Sequence, residues 1–179
     1  MELPAVAHLL RVGDALDETT QIGPLASRPQ RDRVEGYIAK GVAEGGRVTA
    51  GGGRPAGFDR GWFVQPTIFA EVENSATIAR EEIFGPVLSV IGYDDVDQAV
   101  AIANDSDYGL GGSVWTGEPE RGLDVARRVQ TGSIGVNGYT LDPGSPFGGV
   151  KASGLGRELG PEGLATFQQL RSIFLPLFG

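Results

Sequence analysis

Leu3, Val6, Ala7 and Leu10 recur at i, i+3, i+4 and i+7, the spacing of a single helix face, and predict a helix over Met1 to Leu10. Val12 to Pro24 has no such period and reads as a polar connector. Ser27-Arg28-Pro29-Gln30 has the form of a capping box, in which the hydroxyl caps a helix start and the Gln three residues on reaches back to the cap. The helix that follows should bury Val34, Tyr37, Ile38 and Val42 and stop at Gly45-Gly46. Arg47 to Ala50 is a short strand, and Gly51-Gly52-Gly53 a turn. Phe63 to Phe69 is apolar but interrupted by Pro66, which has no N–H for a ladder, so it belongs at a sheet edge.

Val87 to Tyr93 is a strand bounded by turn residues. Asp94-Asp95 caps a helix whose stripe is Val96, Ala99, Val100 and Ala103. Gly111 to Thr116 returns as a strand. Pro119 opens another helix through Val129, with Glu118 and Glu120 at its positive end. Ser133 to Asn137 is the next strand, Gly138 to Gly160 a Gly-rich loop too long to be idle, Pro161 to Gln169 a short helix and Leu170 to Leu177 a final strand. Strands alternating with helices predict an α/β fold, an open, largely parallel twisted sheet with flanking helices.

Composition narrows the function. Lys and Arg number 15 against 23 Asp and Glu, a net charge of −8, and the densest basic run, Arg28 to Arg33, is broken by Pro29 and Asp32. A nucleic-acid partner is therefore excluded. The chain has no Cys, which removes disulfides, thiolate metal sites and any cysteine nucleophile. Its one histidine, His8, leaves no His-rich metal site and no Ser/His pairing. No apolar run approaches the roughly 18 residues of a membrane span, and the N-terminus lacks a basic, cleavable leader, so the expected location is cytoplasmic.

Gly51-Gly52-Gly53-Arg54-Pro55-Ala56 has the letters of a dinucleotide-binding fingerprint, but Pro55 and Gly57 oppose the helix that must follow. Gly154-Leu155-Gly156 lacks the third glycine. Both read as turns. Glu81 and Glu82 are adjacent in an extended segment, so they face opposite ways and make no acid/base dyad. One should point to solvent and the other inward, where a lone carboxylate suits either a structural role or two vicinal hydroxyls, as on a ribose.

Arg80-Glu81-Glu82-Ile83-Phe84-Gly85-Pro86-Val87 resembles the cofactor-side motif of NAD(P)-dependent aldehyde dehydrogenases. The stretch from Pro146-Phe147-Gly148-Gly149 to Gly156-Arg157-Glu158 is similar to that family's C-terminal signature. Ile22-Gly23-Pro24-Leu25, Gly61 to Thr67, Asn104 to Leu110 and Thr131 to Asn137 also match, in family order, so the resemblance runs from about Val12 onward. It implies that residues 1–169 are the C-terminal part of the catalytic domain and 170–179 an oligomerisation strand.

The resemblance also implies roles. Glu82 would hold the nicotinamide ribose hydroxyls, Phe84 would contact the nicotinamide side, and Gln30 and Arg33 would reach the adenosine half of NAD or NADP. Phe147 would line the aldehyde tunnel, with Tyr139 and Thr140 in the variable substrate loop, while Lys151 and Arg157 are structural. The family's Cys thiolate, which attacks the aldehyde, its oxyanion-holding Asn and its water-activating Glu all lie upstream of the matching part. No catalytic residue and no metal ligand are therefore assigned. The expectation is a fragment of an enzyme that oxidises aldehydes to acids, inactive alone and with weak or no NAD(P) binding, either as a homo-oligomer or associated with the N-terminal portion. The alternatives are a subunit of a split enzyme and a non-catalytic assembly module that pairs with full-length subunits.

Overall fold

The computed structural model describes residues 3–175, and the chain divides into two compact units, one running to Tyr93 and the other from Asp94. The first contains α1 (Leu3–Leu9), α2 (Arg28–Ala43), β1 (Arg47–Ala50), β2 (Thr67–Ala70), α3 (Thr77–Arg80) and β3 (Val87–Ser89). Ser27 starts α2 from an extended backbone, its Oγ accepting the Gln30 N–H at 3.3 Å. Gly45, at φ +94°, ends it.

The buried face of α2 is Val34, Ile38 and Gly41. Val42, expected inside, is 52% exposed, because the stripe is completed one residue earlier by a glycine. A Cβ at Gly41 would sit 2.8 Å from Ile78 Cδ1 and 3.1 Å from Phe69 Cε1. The helix backbone therefore lies directly on the core, where Val34, Ile38, Val64, Phe69, Val72, Ala76, Ile78 and Ile83 cluster.

The sheet order is β1-β2-β3, with β1 antiparallel and β3 parallel to β2. The segment expected at an edge is thus the central strand. It begins at Thr67, after Pro66, so the proline precedes the ladder and removes no bond from it. Phe69 faces the main core, while Ile68 joins Ala7 and Ala50 in a second cluster. Gly51 and Gly52 take positive φ in the turn after β1, and the Gly52 N–H donates to Thr67 Oγ1 at 2.9 Å.

The N-terminus of α3 has no side-chain cap of its own. Glu44, just past α2, supplies one: its carboxylate accepts the Thr77 N–H at 2.8 Å and the Thr77 hydroxyl at 2.7 Å. A negative group at that position also meets the positive end of the helix.

The second unit contains α4 (Val96–Asn104), β4 (Gly111–Val114), α5 (Pro119–Arg128), β5 (Ser133–Val136), a 3-10 turn (Lys151–Ser153) and α6 (Gly160–Ala165). Asp95 caps α4 through the Gln98 N–H at 2.8 Å. β4 and β5 pair in parallel, Gly111 opposite Ser133 through Val114 opposite Val136. The crossover helix α5 sits so close that a Cβ at Gly122 would lie 2.6 Å from Val136 Cγ1.

The architecture is α/β with open sheets and flanking helices. The strands fall into two sheets, however, with β3 hydrogen-bonded to β2 and β4 to β5. Alternation in sequence marks each local strand–helix–strand unit but does not say which strands share a ladder. The strand expected from Leu170 does not form within 170–175, where Leu170, Ile173, Phe174 and Leu175 are exposed and no described strand pairs with the segment. Pro176 and Leu177 lie outside the described residues.

Hydrogen bonds from the Arg54 side chain hold the Glu35 carboxyl below its usual range, and bonds from the Thr77 hydroxyl and N–H do the same for Glu44. A depressed native pKa contributes stability above the unfolded pKa and loses it as pH falls through the native one. The urea midpoint should therefore fall as the pH drops from about 5 toward 2. In Glu44→Gln the slope of that fall should be shallower. An unchanged slope would show that the Glu44–Thr77 cap does not contribute.

Candidate functional site

The residues singled out from the sequence fall in two places, one in each unit. In the first unit the chain leaves α3 in an extended conformation at Glu81, with φ −116° and ψ 146°. It then drops Ile83 into the core at 8% exposed. Neither carboxylate points inward, contrary to expectation: Glu81 and Glu82 are both exposed. An unpaired carboxylate in that core would be costly, and the apolar Ile83 takes the inward position. Glu81, on the same side as Ile83, stops at the rim and accepts the Tyr37 hydroxyl at 2.7 Å. Glu82 faces out, and its carboxylate has no hydrogen-bond or ion-pair partner among the described residues.

Phe84 follows with φ +53° and is 72% exposed. A bulky residue in the left-handed region is strained by roughly 1–2 kcal/mol. Gly85 then packs against α2 where no side chain fits, since a Cβ there would lie 2.5 Å from Val34 Cγ2. Pro86 accepts the Thr67 N–H at 2.8 Å and leads into β3.

α2 grips this turn from one face. Gln30 was expected to reach back to its own cap. Its Nε2 donates to the carbonyls of Ile83 at 3.0 Å and Phe84 at 2.7 Å, so only the Ser27 half of the box forms. Arg33 Nη2 donates to the Glu82 carbonyl at 2.7 Å and to the Tyr37 hydroxyl at 2.9 Å, with the guanidinium 4.9 Å from the Tyr37 ring centre. The hydrogen bond to Glu81 holds the Tyr37 phenol above its usual range, aided by desolvation. Gln30, Arg33, Glu82 and Phe84 are thus brought together. The sequence reading left Tyr37 out of this group, placing it in the core. The signal was its spacing: 30, 33 and 37 share one helix face.

In the second unit Phe147, Tyr139 and Thr140 line one cavity of about 200 Å³, together with Ile134, Leu141 and Pro146. Tyr139 Oη and Ser133 Oγ lie 2.6 Å apart, tying the loop to the start of β5. Hydrogen bonds from the Gly144 N–H and the Ser145 hydroxyl shape the loop around Asp142 and hold its carboxyl below the usual range. The long Gly-rich segment is fixed behind the cavity. Phe147 and Glu158 exchange backbone bonds of 2.8 and 2.7 Å, Lys151 Nζ donates to the carbonyls of Asn104 and Ser106, and Arg157 donates to those of Gly149 and Gly156. Among the described residues, no group of three or more His, Cys, Asp or Glu could hold a metal ion and no helix is long and apolar enough to cross a membrane.

The family model described as the aldehyde dehydrogenase family matches residues 2–173. The chain belongs to that family. It is 57% identical over 164 residues to a geranial dehydrogenase of Castellaniella defragrans, covering 92% of this chain and 34% of that protein. It is 48% identical over 171 residues to a betaine aldehyde dehydrogenase of Brucella abortus, covering 94% and 35%. It superposes on the crystal structure of a Mycobacterium tuberculosis aldehyde dehydrogenase complexed with NAD+ with a TM-score of 0.95 at 56% identity, over 98% of this chain and 36% of that one. The chain therefore spans about a third of the length of these aldehyde dehydrogenases.

The Phe84 strain yields a test. Phe84→Asn accepts the same φ with less strain and loses little burial from a ring already exposed. It should stabilise the chain by about 1 kcal/mol in urea denaturation. Destabilisation would show that the ring contributes packing.

Proposed function

We propose that this chain is the C-terminal portion of the catalytic domain of an NAD(P)-dependent aldehyde dehydrogenase, contributing to the oxidation of an aldehyde to a carboxylic acid by the complete enzyme and inactive alone. The observation that carries the reading is the Glu82–Phe84 turn, which exposes a carboxylate with no partner among the described residues and, two positions on, an aromatic residue. Those groups fit one end of a dinucleotide. Glu82 would accept both ribose hydroxyls, and Phe84 would lie against the flat nicotinamide and keep water from it. Gln30 and Arg33 stand behind the turn. When bound, NAD or NADP supplies the hydride acceptor.

Phe147, Tyr139 and Thr140 would line the aldehyde side, with the Tyr139 and Ser133 hydroxyls as polar groups in a mainly apolar wall. Nothing in this chain attacks the carbonyl, since it contains no Cys. The placement within the enzyme rests on the order of the motifs, from Ile22-Gly23-Pro24 through Glu81-Glu82-Ile83-Phe84-Gly85-Pro86 to the signature ending at Glu158. A Cys-bearing N-terminal two-thirds of the geranial dehydrogenase relative should restore turnover on mixing, whereas its C-terminal two-thirds should not. The opposite result would reverse the placement.

The purified 179-residue chain should give no nicotinamide reduction above a heat-killed control with aliphatic or aromatic aldehydes. Two hydrogen bonds to a carboxylate, about 1.5–3 kcal/mol each, barely offset the several kcal/mol of lost freedom on binding. NAD should therefore bind at about millimolar affinity or weaker. Turnover, or a micromolar constant by calorimetry, would overturn this.

The segment from residue 170 completes the reading as an oligomerisation strand. Leu170, Ile173, Phe174 and Leu175 are exposed, Phe174 at 91%, and an unpaired apolar segment pairs with whatever strand it meets. Light scattering should show mass rising with concentration, and less so after deletion of 170–179. A constant monomer mass would remove the oligomer.

A further inference from the structure

We infer that Gln30, Arg33 and Tyr37 act as a positioning clamp that holds Phe84 in its left-handed conformation and thereby aims Glu82 and Phe84 outward as a pair. The aim toward nicotinamide rests on the function proposed above; the clamp itself does not. Three residues on one face of α2 bond four consecutive residues of the turn. Tyr37 Oη donates to the Glu81 carboxylate, Arg33 Nη2 to the Glu82 carbonyl, and Gln30 Nε2 to the carbonyls of Ile83 and Phe84, at 2.7, 2.7, 3.0 and 2.7 Å.

Both N–H groups of the Gln30 carboxamide are committed to these carbonyls, and both of Arg33 Nη2 to the turn and to Tyr37. The resemblance implied that Gln30 and Arg33 reach the adenosine half; here both Gln30 Nε2 donors and one Arg33 Nη2 donor serve the peptide that carries the other two site residues. A strained backbone persists only where its surroundings over-determine it. The carbonyls on both sides of the Phe84 N–H and Cα are fixed by Gln30, while the exposed ring supplies no such restraint. Gln30 therefore sets the torsion, and Arg33 and Tyr37 fix the approach to it.

NMR on the full 179-residue chain tests this, with the Phe84 torsion read from its one-bond Cα–Hα coupling and its intraresidue amide–Hα NOE. Gln30→Glu keeps the size and removes both donated bonds. The expected result is loss of the left-handed signature at Phe84, with the β1 and β2 amide shifts unchanged. Arg33→Lys, which keeps a cationic donor, should retain the signature. If Gln30→Glu fails to fold, Gln30→Asn, one methylene short of the two carbonyls, gives the same readout. A left-handed signature that survives in the folded Gln30 variant overturns the clamp.

Millimolar NAD added to the unmodified chain tests the aim separately. Shifts at Glu82 and Phe84 that vanish in Glu82→Gln, with the Phe84 torsion intact, support it. Absence of any shift at Glu82 and Phe84 even when the N-terminal two-thirds of the relative is supplied overturns the nicotinamide aim and leaves the torsion result to decide the clamp.

Discussion

The main core of the first unit depends on the seating of α2 against Phe69, Ile78 and Ile83. Burying an aliphatic or aromatic side chain is worth about 1.5–3 kcal/mol, and Val34, Ile38 and Phe69 are at most 5% exposed. A neutral hydrogen bond contributes about 1 kcal/mol net. The apolar face therefore decides where the helix lies, and the polar face beside it decides only what the neighbouring turn does. Because glycine at 41 leaves room for Ile78 and Phe69, and glycine at 85 for Val34, helix and turn pack closely and the residues at 30, 33 and 37 lie within hydrogen-bond reach of 81–84. The site is a by-product of close packing, with direction added by a few polar contacts.

The second unit uses the same device without a helix. A Cβ at Gly132 would meet the Gly148 carbonyl oxygen at 1.6 Å, and one at Gly135 the Gly138 oxygen at 1.7 Å. No side chain could occupy either position, so the loop backbone passes directly against Gly132 and Gly135. That contact brings Tyr139, Thr140 and Phe147, which are eight residues apart in sequence, around one cavity. Lys151 and Arg157 then spend their charge on backbone carbonyls, which suits a scaffold and leaves the cavity wall mainly apolar.

Features governed by neighbours within four residues were legible in the sequence. Ser27 and Asp95 cap helices, Pro119 opens one and Gly45 closes one, because each acts on the backbone next to it. What escaped was set by distant partners. The α3 cap comes from Glu44, thirty-three positions away, and Gln30 abandons the local box for carbonyls more than fifty residues on. Strand partners are likewise non-local, so a run such as Thr67–Ala70 could be recognised as a strand but not as the central one. For the site, the motif letters carried Glu82, Phe84 and Phe147, but not which side chain touches which. Tyr37 was read by hydrophobicity alone, though its hydroxyl is the part that matters to Glu81.

Two of the five non-glycine residues at positive φ among the described residues show how a fold uses such a position, and Phe84 differs from both. Asn137 compensates its own strain, its side chain bonding both the N–H and the carbonyl of Thr116. Lys151 does so through its ammonium, bonded to the Asn104 and Ser106 carbonyls. In both, the residue that bears the strain also makes the bonds that offset it, which is how a fold uses such a position. Phe84 does the reverse. Its ring stands in solvent, and the bonds that hold its backbone come from Gln30 on another element. A residue that gains nothing from its own conformation, yet is held in it from outside, shows the pattern the proposed cofactor contact of Phe84 requires.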